Sequence, residues 1–85
     1  MLVAKFKLPF GWKEEEVKEK YPELMIGNKY EVEYISMGQS YTSIFLVGYE
    51  NHCYNSVFFD FEEDGEPIDI YRSPKYNPYL SIFKE

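Results

Sequence analysis

Three runs decide the fold: Lys29-Tyr30-Glu31-Val32-Glu33-Tyr34-Ile35, Tyr41-Thr42-Ser43-Ile44-Phe45-Leu46-Val47 and Ser56-Val57-Phe58-Phe59-Asp60-Phe61-Glu62. Each is rich in β-branched and aromatic residues, the types that fit a pleated, half-buried surface. The first alternates apolar and acidic positions from Tyr30, the period-2 signature of a strand with one wet face. The second places Thr42, Ile44 and Leu46 on one side and Phe45 and Val47 on the other, so it reads as a strand apolar on both faces and central to its sheet. The third is expected to turn Val57, Phe59 and Phe61 to one face.

Turn chemistry separates the runs. Gly38-Gln39-Ser40 divides the first two, Gly48 is expected at a bulge or bend, and Glu50 to Asn55 is a polar connection. After the third run, Asp64-Gly65 supplies the positive φ that a tight hairpin needs. Pro67 to Tyr71 then returns as a strand with Ile68 and Ile70 inward and Asp69 outward.

Outside this series, Leu2, Ala4, Phe6 and Leu8 alternate with Lys5 and Lys7, predicting an N-terminal strand. Residues 12–21 carry helical spacing instead. Glu14–Lys18 and Glu16–Lys20 are i,i+4 pairs in the favourable order, and Glu14, Glu15 and Glu16 crowd the first turn, where the helix dipole favours acids. Trp12, Val17, Tyr21 and Leu24 form its apolar stripe, and Pro22 stops it. Ser73-Pro74 and Asn77-Pro78 mark a turn-rich segment, and Leu80 to Phe83 suits a last short strand. The expected architecture is mainly β: a small SH3-like five- or six-stranded β-barrel with one short surface helix.

Composition fits one domain, residues 1–85. With so few residues, only about 60–65% of the unfolded surface is buried on folding, and a 20% aromatic content supplies the missing bulk. A net charge of −6, from nine basic against fifteen acidic residues, argues against a nucleic-acid or anionic-membrane partner. The single Cys53 excludes an internal disulfide and suits a cytoplasmic setting.

Tyr54-Asn55-Ser56-Val57-Phe58-Phe59, the Asp64-Gly65 hairpin, Ile68-Asp69-Ile70-Tyr71, Ser73-Pro74 and Tyr76-Asn77-Pro78-Tyr79-Leu80 together resemble small proteins encoded by phages and prophages of Gram-positive bacteria. Tyr41-Thr42-Ser43-Ile44 resembles the hairpin that precedes these motifs. The resemblance covers about half the chain and implies a compact phage-type accessory domain with no catalytic motif. The order of elements is also similar to SH3-like barrels, which implies an architecture and no function.

Four groups compete as sites. Asp60, Glu62, Asp64 and Gly65 follow the opening of a calcium loop, but Tyr71 stands where a bidentate Glu is required, so Asp60, Glu62, Glu63 and Asp64 read as an acidic hairpin tip. His52-Cys53 is adjacent in sequence, and neighbours on an extended chain point apart. The acid pairs Glu31–Glu33 and Asp60–Asp69 read as solvated strand faces. Tyr71, Arg72, Lys75, Tyr76 and Tyr79 form a basic, aromatic segment in an acidic protein, suited either to a protein interface or to closing one end of the core.

The expectation is therefore a non-enzymatic accessory protein, without cofactor or metal, that binds another protein through residues 71–79 and secondarily through the acidic tip. Two alternatives belong to other classes. One is an acidic inhibitor that presents Glu14–Glu16 and Glu62–Asp64 in place of nucleic-acid phosphates. The other is a homo-oligomeric structural subunit that pairs an exposed strand edge with a copy of itself.

Overall fold

The computed structural model describes residues 1–38 and 41–77, and these form one antiparallel sheet with a helix packed on it. The strands are β1 (Leu2–Phe6), β2 (Lys29–Met37), β3 (Thr42–Leu46), β4 (Tyr54–Asn55), β5 (Phe59–Glu63) and β6 (Glu66–Ile68). Their order across the sheet is β4-β3-β2-β1-β5-β6. The helix α1 (Glu14–Lys20) lies in the connection from β1 to β2. It is started in part by Glu16, whose carboxylate accepts from the backbone N–H of Lys13 at 2.9 Å.

The mainly β class, the strand count and the short helix agree with the sequence. The arrangement within the sheet differs from a barrel. Among the described residues the sheet is open, with β4 and β6 as its two edges. The expected last strand, Leu80 to Phe83, lies outside the described residues, as do Gln39 and Ser40 of the expected turn. The sheet's centre is β1 with β2, because β1 pairs β2 on one side (Ala4 opposite Tyr30) and β5 on the other (Ala4 opposite Phe61).

One face of the sheet makes the core. Leu2, Ala4 and Phe6 of β1, Ile44 and Leu46 of β3, Tyr54 of β4, and Phe59 and Phe61 of β5 are all buried on it. Val17, Tyr21 and Leu24 from the helical segment cover it, as the apolar stripe predicts. Tyr21 meets the rings of Phe6, Tyr54 and Phe58 edge-on at 4.9–6.2 Å between centroids, the arrangement that sets a positive ring edge against a negative ring face. Leu8 ends up exposed, because β1 stops at Phe6 and the next backbone N–H, that of Lys7, turns to the carbonyl of Phe58 at 2.8 Å.

Two local devices reset the side-chain pattern. In β2 the register slips between Val32 and Tyr34, which oppose the consecutive residues Leu46 and Phe45. The extra residue is a bulge. It lets Tyr30 and Val32 before it and Ile35 and Met37 after it all face inward, although their spacing breaks period 2. Of the bulge or bend expected at Gly48, the bend is what forms: Gly48 (φ 89°) turns the chain after β3, and the sheet's bulge lies at Glu33.

The second device lies between β4 and β5. The side chain of Asn55 accepts from the N–H of Val57 and opens a single 3₁₀ turn over Ser56–Phe58. That turn corrects the expected facing: Val57 points to solvent and Phe58 is buried in its place. The Asp64-Gly65 hairpin forms as its sequence demands, with both residues at positive φ (53° and 83°) between the opposed Glu63 and Glu66.

Candidate protein-binding surface

Each candidate group is fixed by the elements above. On the outer face of the sheet, Asp60 and Glu62 of β5 stand beside the lysines of β1 and β2. Lys7 reaches Asp60 at 2.8 Å and Lys29 reaches Glu62 at 3.2 Å. Glu63 is in phase with Phe59 and Phe61 rather than with these two acids, so it turns inward, where it accepts from the Tyr76 hydroxyl and pairs with Lys75 at 2.8 Å. Asp64, at the hairpin tip, binds the N-terminal amine at 2.7 Å. The acidic tip is therefore not one surface: its four carboxylates point three ways, each toward a cation of the same chain.

Electrostatics follow these contacts. Lys75, and then the Tyr76 hydroxyl, hold the Glu63 carboxyl below its ordinary 4.5. The amine of Met1 does the same to Asp64. Lys75 is raised in turn by Glu63. Tyr76 is raised first by burial and then by the carboxylate that it faces.

The basic, aromatic segment divides in two. A second 3₁₀ turn, Ile70–Arg72, begins where the Asp69 side chain accepts from the N–H of Tyr71 at 3.0 Å. It buries Ile70 and leaves Tyr71 and Arg72 exposed. The Tyr71 hydroxyl is hydrogen-bonded to Ser56, and the Asn77 amide donates to the Tyr71 carbonyl at 2.7 Å. Tyr76 instead packs half-buried against the core cluster. Tyr71 and Arg72 thus face solvent, while Lys75 and Tyr76 are engaged with Glu63. Tyr79 lies outside the described residues.

Exposed apolar surface collects at the end of the sheet where β1 stops. The connection after β1 carries Leu8, Phe10 and Trp12, all exposed, and Phe10 is wholly so. The hydrogen bond from Lys7 N–H to Phe58 brings Val57 alongside. A groove of about 610 Å³ runs there, walled by Pro9, Phe10, Val57, Asp60, Asp69 and Tyr71. Met25 and Ile26, also exposed, reach the same end, because Gly27 N–H donates to the Phe6 carbonyl at 2.8 Å. Sequence reading missed this surface. Its one signal was an aromatic residue between Pro9 and Gly11, inside a turn and out of step with every apolar stripe.

The remaining groups are quickly placed. His52 is exposed, stacks on Tyr54 and has Nδ1 4.0 Å from Glu23, whose carboxylate accepts from the Tyr54 hydroxyl at 2.5 Å. Burial, and then that carboxylate, push the Tyr54 hydroxyl well above its usual range. Cys53 is exposed and free. Glu31 and Glu33 are exposed on β2. Among the described residues no three His, Cys, Asp or Glu side chains gather as a metal-binding group, and no helix is long and apolar enough to cross a membrane.

Sheet and surface together define a small antiparallel β protein with a group of exposed apolar side chains at the end where β1 stops. The family model for bacteriophage T4 protein Y07B matches residues 1–82, and the chain belongs to this phage protein family. No curated protein and no solved structure matches it.

Proposed function

We propose that this chain is a non-enzymatic phage accessory protein that acts by binding a protein partner through the apolar end around Phe10. The family match over residues 1–82 supports the phage part, and the Gram-positive, prophage setting rests on the Tyr54–Leu80 resemblance alone. The proposed site of action is the cytoplasm, a setting that a free, unpaired Cys53 suits. The observation that carries the binding reading is Phe10 itself, a fully exposed ring beside a groove shared with Val57 and Tyr71. Aromatic residues and Arg are enriched at the centres of protein interfaces, and Tyr71 and Arg72 of the segment singled out in the sequence lie at this end.

The phosphate-mimic alternative has less support, because Glu62, Glu63 and Asp64 are each paired with a cation of the chain, and Glu14 is within 3.6 Å of Lys18. The test is affinity capture from lysate of phage-infected cells with tagged wild type, Phe10→Glu and, as an outer-face control, Tyr34→Ser. Proteins captured by wild type and control, untagged copies of the chain included, should be lost with Phe10→Glu. Equal capture by all three would sink this surface.

A further inference from the structure

Resting on the reading that the Phe10 end binds protein, we infer that the partner it fits is a second copy of this chain. The two copies meet about a two-fold axis, and each Phe10 enters the groove of the other. Three observations lead there.

The first is self-complementarity. A two-fold contact is reciprocal: if residue i of one copy touches residue j of the other, j also touches i. A surface serves both roles only if it carries a projection and a receptacle side by side. Phe10 is the projection, and the groove walled by Val57 and Tyr71 is the receptacle.

The second is area. With ordinary side-chain areas, the exposed parts of Leu8, Phe10, Trp12, Val57 and Tyr71 with neighbouring Met25 and Ile26 amount to roughly 600 Å². That stands at the top of the ~300–600 Å² range of the largest patch on a monomer. It approaches the ~800 Å² per partner of a standard interface, and the polar rim supplies the difference.

The third is charge. Two copies at −6 repel over most of their surfaces. At the groove both signs are present, Lys7 beside Asp60 and Arg72 within 3.7 Å of Asp69. A balanced rim meets its own copy without net repulsion. The other route to self-association is narrow: among the described residues, the β4 edge has two residues and the β6 edge carries Pro67, which has no N–H to donate.

Size-exclusion chromatography with light scattering on the purified full chain, from ~10 μM to ~1 mM, should give a mass approaching twice 10.2 kDa. Phe10→Glu and, separately, Val57→Arg should return it to the monomer, each weakening dimerisation by at least roughly 30-fold, as truncation of an interface hot spot does. Both positions are exposed, so an unchanged circular dichroism spectrum is expected, and an unchanged Tm at concentrations where the wild type is monomeric. A monomer throughout overturns the inference. If Phe10-dependent capture from lysate then persists, the binding surface stands with a different protein as its occupant; if that is lost too, both readings fall. A dimer indifferent to both substitutions also overturns it.

Discussion

Val57 and Phe58 are neighbours with opposite fates, and a single side chain decides which is which. Asn55 accepts from Val57 N–H, tightens the backbone into one 3₁₀ turn, and so rotates Phe58 into the cluster of Phe6, Trp12 and Tyr21 rings. Phe58→Ala should cost about 3–5 kcal/mol, the usual loss for emptying a buried ring site. Val57→Ala should stay within about 0.5 kcal/mol, as surface changes do. Urea denaturation of the two variants checks this, and a reversed order would mean that the 3₁₀ turn is wrong. Alternation along Ser56 to Glu62 pointed the other way, because period 2 holds only while the chain remains extended. The capping Asn was visible in the sequence, but whether it would cap or simply continue the strand depended on tertiary partners.

Among elements, the β5–β6 hairpin shows what was and was not legible. Asp64-Gly65 announced its own turn, since few other pairs tolerate positive φ twice in succession. Sequence reading groups Glu63 with the acidic tip and misses both its inward facing and its partners: Lys75 and Tyr76 are distant in sequence, and only the fold brings them over. Of the two readings of the segment, interface or closing turn, Tyr76 takes the second and straps across the end of the core.

This contact makes a titration prediction. Glu63 lies below its unfolded value of 4.5, so its contribution to stability is present above that pH and is lost as pH falls through the lower, folded value. NMR titration of the Glu63 carboxyl should show the depressed midpoint. Lys75→Ala should raise it more than Tyr76→Phe, in the order of the two causes. A midpoint unmoved by Lys75→Ala would remove the ion pair as the cause. Loss of Lys75 and Tyr76 ordering should accompany the acid limb.

For the whole molecule, the β-rich runs and the turns between them gave the class, and alternation gave most of the core: Leu2, Ala4, Phe6, Ile44, Leu46, Phe59 and Phe61 are all buried as read. Among the described residues the sheet is open, and strand count and spacing constrain which segments pair, not whether the two edges meet. The bulge in β2 was hidden in the run Tyr34-Ile35, where consecutive apolar residues signal a change of phase as readily as a two-faced strand. The apolar end around Phe10 was illegible for a different reason. It is assembled from four connections, and no single stretch of sequence contains it.

The place of β1 in the middle of the sheet also governs when this protein can fold. Its neighbours are β2 and β5, and Leu2 is opposed by Glu63. A ribosome therefore delivers this central strand some sixty residues before one of its flanking strands. Until β5 has emerged, one side of β1 shows unpaired N–H and C=O groups and the ring of Phe6 lacks Phe58 and Phe59. Loop closure over that distance must precede the contacts that reward it, which favours slow, late and cooperative folding over growth strand by strand. The nascent chain is thus most exposed to aggregation just before the β5–β6 hairpin is made.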